Sequence, residues 1–504
     1  MGDATAGTEN VAGLCRRCLV KGLKQFGYSG TTDVRWVTTG KHEGVKMRAS
    51  AILLAAMAST MAFASPAEAK KKQPEAPVVP VRPAPILALP SSANASAVNY
   101  YYERRQESPI WFSAAGGTAA IAELLEILRA APIDGMSNGP QIAAQVEAMV
   151  QAAAVGDETA KKTAERALTN AWVDYVQVIQ RPNSNVIWGD PYLTLKPSAP
   201  DRTMAQLAAA SSIATHLQTV SAVNPYYSAI REVALSEQSA SGRASDKALL
   251  NLERARILPG SGKYILVNAA EQRLHMIQGG QDVGSMKVVV GDNDKLGLPT
   301  PIIASTMHYA IANPYWHVPE HLIRKFAPNI AKDPVGYLKS RHYEVISDFS
   351  ENPQILSPTS VDWKAVAAGT AKVILRQQPG GTNSMGKMKF PFPNREGIFL
   401  HDTPTREYFA LANRAKSNGC IRVEDYRGLA HFVFGRDVAA LGSDPEQHIA
   451  APRGVPVYVT YLTMVPTPTG LASFEDRYGW DRPGAMAGGM PARAGSVLAG
   501  GSPN

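Results

Sequence analysis

The chain has 504 residues and a formal net charge of +8, with only 19% charged side chains. That length allows two or three domains and a sizeable core. No dense basic run stands beside aromatics in the body of the chain, which argues against nucleic acid as a partner. A basic surface suits an anionic polymer such as a cell wall, but many exported proteins are basic, so charge decides nothing further.

Taken in order, the first informative stretch is the apolar run 51–64, AILLAAMASTMAFA, which is short for a bilayer span. Lys46 and Arg48 precede it, and Ala62-Phe63-Ala64 and Ala67-Glu68-Ala69 offer small-x-small cleavage sites. This is the anatomy of a secretory signal peptide. Met47 stands where its start belongs, so 1–46 reads as a mis-assigned upstream extension and 47–69 as the signal peptide. The expected mature end lies near Ser65 or Lys70, and the expected location is the periplasm. An uncleaved signal anchor is the alternative, and with it the one route to a membrane. Cys15 and Cys18 form a C-x-x-C pair in the extension, but no second ligand pair accompanies them. After cleavage Cys420 would be the sole cysteine, and in an oxidising compartment a reactive thiol explains it better than a staple does.

Residues 70–95 carry Lys70-Lys71-Lys72 and prolines at 74, 77, 80, 83, 85 and 90, an extended linker or mature N-terminal tail. From 96 to 257 the period is helical. Ile121, Leu124, Leu125 and Leu128 share a face, as do Ala164, Ala167, Leu168, Ala171 and Trp172. Asp201 is placed to cap a helix containing Leu207, Ile213 and Leu217, and a last helix is predicted over 246–258. Tyr100, Tyr101, Tyr102 and Trp111 could grip a glycan, but packing against these helices is the stronger expectation.

From Lys263 the pattern becomes strand-like, with predicted strands at 263–268, 273–277, 286–291, 301–312, 372–376, 397–401 and 455–462. Many short strands with glycine-rich turns predict a curved sandwich or barrel-like sheet in an α+β chain. Residues 313–370 interrupt it with helical and loop sequence. There His317 and His321 lie four apart, but Pro319 intervenes and no carboxylate partner is evident, so they read as structural and no metal is expected. Residues 466–482 form a C-terminal extension, and 483–504 is a Gly/Ala/Pro/Met/Ser tail expected to be disordered.

The stretch 391–423 carries the chemistry. His401 ends the apolar run Ile398-Phe399-Leu400, and Ser417-Asn418-Gly419-Cys420-Ile421-Arg422 follows after a short excursion. A cysteine nucleophile needs a base within hydrogen-bond reach, and the base needs something to hold its ring. A cysteine and a histidine alone are only a candidate pair. The whole pattern resembles the active-site signature of the L,D-transpeptidases, the YkuD-type catalytic domain. Much of that family has a histidine directly before the glycine, where this chain has Asn418. That departure, with the strings NPYWHVP at 313–319 and RQQPGGTNSMGKMKF at 376–390, resembles the large Gram-negative, YcbB-like branch. The resemblance covers roughly 96–480.

It implies a helical scaffold domain over 96–257 and a mostly β catalytic domain over 258–465, whose insertion 313–370 caps the active site. A separate peptidoglycan-binding module common in that branch finds little room between Tyr227 and Asn251. It implies Cys420 as nucleophile and His401 as general base and acid, with the His401 ring held by the backbone carbonyl of Asp402. The Asp402 carboxylate competes for that role, though it reaches its neighbour's ring poorly. A free thiol with pKa about 8.5 is only slightly ionised at neutral pH, so the base matters, in a resting ion pair or during attack. Cys420 is expected to open a turn into a helix over 424–434, which would gather backbone N–H groups of Asn418 and Gly419, with that of Cys420, on an oxyanion. Gly419 permits a backbone path that a Cβ would resist. Arg422, Ser417 and Trp316 are candidate substrate contacts. Arg422 offers a fork for a carboxylate, or else a salt bridge to Glu424 or Asp425, and Trp316 equally suits the core of the insertion. The implied partners are peptidoglycan stem peptides, with carbapenems as inhibitors and no cofactor.

Overall fold

The computed structural model describes residues 89–293 and 298–485. The expectations for the extension, the signal peptide, most of the linker and residues 486–504 lie outside the described residues. Among those described, no helix is long and apolar enough to cross a membrane.

Helices Ala95–Arg104, Thr118–Asp134, Gly139–Val155, Glu158–Ile179, Pro200–Ala208 and Ile213–Ser221 share one core around Trp111, Leu124, Leu128, Leu168 and Trp172. Both predicted stripes face it. The predicted aromatic cluster splits: Tyr102 and Trp111 are buried, whereas Tyr100 is exposed. The Trp111 indole donates to Thr169 Oγ1 at 2.9 Å, and the Tyr102 hydroxyl reaches Glu165 Oε1 at 2.9 Å. Packing therefore claims these rings. The single helix expected after Asp201 is two helices. Asp201 lies inside the first turn of Pro200–Ala208, and the second helix starts at its own cap, Ser212, whose side chain accepts from the Thr215 N–H. The break at 209–212 ends one apolar stripe and begins another, which a summed periodicity cannot separate.

Helices Pro225–Ser241 and Asp246–Ala255 pack into the sheet core through Tyr227, Ile230, Leu252 and Ala255. Buried Asp134 joins this pair to the first six helices. It pairs with Arg231 at 2.8 Å and accepts from the Tyr227 and Tyr175 hydroxyls at 2.7 and 3.0 Å. A buried carboxylate must be partnered, and this one is satisfied from three sides.

The large sheet closes on itself. Strand Ile303–Ala312 pairs with Met388–Pro391, then in order Phe399–His401, Ile421–Val423, Gln281–Gly291, Arg273–Gln278, Lys263–Asn268 and Gln447–Thr460 follow, the last pairing back to Ile303–Ala312. Leu400, Ile421, Val288, Val290 and Phe390 fill the inside. Closure removes the exposed edges that an open sheet would present.

The insertion expected to cap the site, called the cap below, has its own core around Leu322, Ile323, Val345, Trp363 and Leu375. It holds a four-stranded sheet ordered Trp316–His317, Ile374–Gln377, Tyr343–Ile346, Ile355–Leu356. The strand predicted at 372–376 thus belongs to the cap, not to the main sheet, and the insertion runs on to Gln377. Periodicity reports that a segment is a strand but not which sheet it joins. Buried Asn383 ties off the base of the cap, its amide donating to Pro314 O at 3.0 Å and Gln378 O at 2.9 Å.

Candidate active site

Strand register builds the site. Phe399–His401 and Ile421–Val423 run parallel with Leu400 opposite Ile421 and His401 opposite Arg422. Side chains alternate across a strand, so Leu400 and Ile421 point into the apolar interior while His401 and Arg422 share the other face. Cys420 stands directly before strand Ile421–Val423, close enough for its charge to act on the Arg422 guanidinium. Lys389 joins them, in register with His401 on its other side. Val289, opposite Arg422, and Ile311, opposite Lys389, complete that face.

His401 is buried, and its Nδ1 donates to the Asp402 carbonyl oxygen at 2.6 Å. A carbonyl can only accept, so Nδ1 carries the proton and Nε2 keeps its lone pair. Burial, then the nearby Arg422 and Lys389 cations, push the His401 pKa down to about 3, against the Asp402 carbonyl bond, which raises it. The imidazole is therefore neutral, the form in which it takes a proton. The Asp402 carboxylate points elsewhere and accepts from the Lys387 N–H at 2.8 Å. Gly386, at φ +63°, leaves room for it; a Cβ there would lie 2.4 Å from Asp402 Oδ2.

Cys420 is half-buried, and its Sγ lies 3.6 Å from the Gly397 carbonyl oxygen. A carbonyl acceptor at that position suits a protonated thiol. The turn before it is held by Ser417. The Ser417 hydroxyl donates to Cys420 O at 2.6 Å and accepts from the Gly419 N–H at 3.1 Å. Both findings correct the sequence reading. Ser417 is spent inside the turn rather than on a substrate, and the Gly419 N–H points to Ser417 rather than to an oxyanion. Gly419 itself sits at φ +109°, where a side chain is strained. No helix starts at Cys420 either. Strand Ile421–Val423 comes first, and helix Tyr426–Phe434 begins behind its cap Asp425. Asn418 buries its Oδ1 without a hydrogen-bond partner.

Arg422 forms no salt bridge with Glu424 or Asp425. Glu424 accepts from the Lys287 N–H at 3.0 Å, and Asp425 caps the following helix. The guanidinium lies over the Tyr408 ring at 5.3 Å, and burial lowers its pKa from the usual value. Trp316 packs beside the cap core, its ring 6.3 Å from that of Tyr343, in keeping with the insertion-core alternative. His317, on the same short strand, is pushed down to about 4 by burial first and by Lys389 next. Among the described residues no group of three His, Cys, Asp or Glu side chains is placed to hold a metal.

Sequence reading missed Lys389, which bridges the face and the cap region. Its Nζ lies 3.6 Å from Glu446 Oε1, and Glu446 also accepts from the Tyr315 N–H at 2.6 Å. The alternation Met388-Lys389-Phe390, a charge between two buried apolar residues, was the available signal. Arg414 also went unread. It is buried and donates to the carbonyls of Gln272, Val288 and Leu411, pinning the entry to the cysteine loop.

Residues 262–459 match the family YkuD, the L,D-transpeptidase catalytic domain. These residues form a YkuD-type L,D-transpeptidase catalytic domain. Residues 96–233 match the Scaffold domain, consistent with the architecture of the large Gram-negative branch. A Haemophilus influenzae protein named provisionally as an L,D-transpeptidase is 24% identical over 396 residues, spanning 76% of this chain and 77% of that one. Similar solved structures include the Mycobacterium smegmatis L,D-transpeptidase, at 12% identity and TM-score 0.20, covering 40% of this chain and 60% of that one. Another is a mutant Enterococcus faecium L,D-transpeptidase, at 11% identity and TM-score 0.18, covering 40% of this chain and 50% of that one. The chain thus spans about half to three fifths of those solved chains.

Proposed function

We propose that this L,D-transpeptidase family member is an exported enzyme that cross-links peptidoglycan through a cysteine thioester. The observation that carries the reading is that Cys420 directly precedes the strand paired in parallel with Phe399–His401, with the His401 ring neutral and its Nε2 lone pair unprotonated. Cys420 Sγ attacks the amide carbonyl between the third stem residue, meso-diaminopimelate, and the terminal D-alanine of a tetrapeptide donor. His401 Nε2 takes the thiol proton as attack proceeds and returns it to the departing D-alanine amine. The buried, neutral imidazole favours transfer during attack over a resting ion pair. A thioester remains on Cys420. The side-chain amine of a second stem's diaminopimelate then attacks it, giving up a proton to His401 and regenerating the thiol. The product joins two third residues directly, and no cofactor enters any step.

Arg422, beside His401 and free of a salt bridge to Glu424 or Asp425, offers its fork to a stem carboxylate. Lys389 adds positive charge beside it. With the Gly419 N–H engaged, the developing oxyanion draws on the remaining backbone donors of the turn and on this positive face. The apolar run 51–64 supports a periplasmic setting, where the stem peptides are.

Mass spectrometry of the purified protein incubated with disaccharide-tetrapeptide tests the reading. Cross-linked dimer with released D-alanine is the expected result. Tripeptide alone would instead mark a hydrolase or protein-attachment enzyme on the same scaffold, and no product would mark a non-catalytic wall-binding protein.

A further inference from the structure

Two buried hydroxyls outside the cysteine signature buttress its turn, one by a direct bond and the other through the first. Thr300 Oγ1 donates to the Gly419 carbonyl oxygen at 2.9 Å and accepts from the Gly291 N–H at 2.8 Å. The Tyr478 hydroxyl donates to the Gly291 carbonyl oxygen at 2.8 Å and accepts from the Thr300 N–H at 3.3 Å. Each hydroxyl thus gives its one proton to a carbonyl and takes one from an amide, so the direction of every bond is fixed. Thr300 and Tyr478 are 1% and 5% exposed. At such positions valine and phenylalanine would fill the same space without the cost of burying a hydroxyl. Tyr478 is itself pinned. Its N–H donates to the Tyr461 hydroxyl at 2.9 Å, its carbonyl accepts from Asn293 Nδ2 at 3.3 Å, and its ring stacks on Tyr461 with centroids 4.8 Å apart.

The target of this chain of bonds is specific. Gly419 is the residue before Cys420 and sits at φ +109°. The orientation of its carbonyl sets the plane of the Gly419–Cys420 peptide, and with it the start of the Cys420 side chain. Ser417 holds the other side of the same turn. Tyr478 lies beyond residue 459, where the catalytic-domain match ends.

We infer that Thr300 and Tyr478 are positioning residues for Cys420, and that the C-terminal segment thereby completes the active site of the catalytic domain. The inference rests on the transpeptidase reading for its effect on rate, but not for its effect on the turn.

The test uses the full mature chain and the variants Thr300→Val, Thr300→Ser and Tyr478→Phe. Two quantities are read: the acylation rate of Cys420 by meropenem, and amide hydrogen exchange of the 417–421 peptide. Loss of one hydrogen bond of this kind predicts about tenfold slower acylation in Thr300→Val and Tyr478→Phe. Exchange at 417–421 should quicken in both, and Thr300→Ser should restore both values. A merely structural role would lower the melting temperature of Thr300→Val and leave acylation of the folded protein unchanged. That result, or wild-type exchange in both variants, overturns the inference. A wild type that forms no adduct sinks the transpeptidase reading separately. The exchange comparison then decides the turn alone, faster exchange upholding the buttress and unchanged exchange overturning it.

Discussion

Arg422 stands opposite His401 across two parallel strands, a permanent cation beside a base that must stay neutral. Together with burial, which is the larger cause, it pushes the His401 pKa down to about 3. Acylation should therefore keep its base in the working form well below the ordinary histidine range near 6.5. Arg422→Gln removes the charge while keeping hydrogen-bonding capacity. The acidic limb of the acylation–pH profile should then move upward, part of the way towards pH 6.5. An unmoved limb would show that Arg422 does not tune the base.

The same depression has a stability consequence. The unfolded chain takes a proton on this histidine as pH falls below about 6.5, whereas the folded chain does so only near pH 3. Between those values acid favours the unfolded state, so the stability from a neutral His401 is complete above pH 6.5 and is lost as pH falls towards 3. The slope is up to about 1.4 kcal/mol per pH unit for this one group. Carboxylates add slopes of their own, so the informative quantity is a difference. Urea unfolding of wild type and His401→Gln between pH 7 and pH 4 should show the wild type losing stability more steeply. Parallel slopes would mean that His401 titrates normally in the fold.

Replacing the reacting groups gives the most direct assay of their roles. Cys420→Ala should abolish thioester formation with the fold intact. His401→Ala should slow acylation by about 10²–10⁴, the usual range for a positioned general base. Wild-type turnover in either variant would reject the assignment. Intact-protein mass spectrometry after donor incubation reads the thioester directly.

The candidate pair was legible because its sequence signal is local. A histidine at a strand end and a Ser-x-Gly-Cys-x-Arg string name their own elements, and both lie where strands Phe399–His401 and Ile421–Val423 meet. What failed was everything set by cross-strand register or by competition for a hydrogen bond. Lys389 lies beside His401 only because Met388–Pro391 pairs antiparallel with Phe399–His401. Ser417 looked available to a substrate, yet its hydroxyl closes the turn between Gly419 and Cys420. The helix expected over 424–434 is present from Tyr426, but the turn expected to lead from Cys420 into it is a three-residue strand, too short for any periodicity to announce. Thr300 reaches the turn directly and Tyr478 only through Thr300 and Gly291, both from segments more than 50 residues away in sequence, a distance no motif spans.

Export is tested at the chain's own beginning. Both small-x-small sites follow the apolar run, so N-terminal sequencing of periplasmic protein should return a start near Ser65 or Lys70. Recovery from the cytosol with residue 1 intact would remove the export reading, and with it access to stem peptides.

Inhibitor response tests whether Asn418, standing where much of the family has histidine, leaves the thiol active. Cys420 Sγ rests against the Gly397 carbonyl, and His401, on the strand paired with the one after Cys420, is neutral, so the proposed base needs no second histidine. A strained β-lactam carbonyl should be opened by this thiol and held as a thioester. The family resemblance implies slow, stable acylation by carbapenems and much weaker response to penicillins. A serine enzyme acting on the other end of the stem would use a hydroxyl instead, so the response separates two wall-crosslinking chemistries. Intact-protein mass spectrometry with meropenem or imipenem near neutral pH should show an adduct that vanishes in Cys420→Ala. Were Asn418 to have disabled the site, Cys420 would behave as an ordinary thiol with pKa about 8.5, giving no adduct and alkylating quickly only above about pH 8.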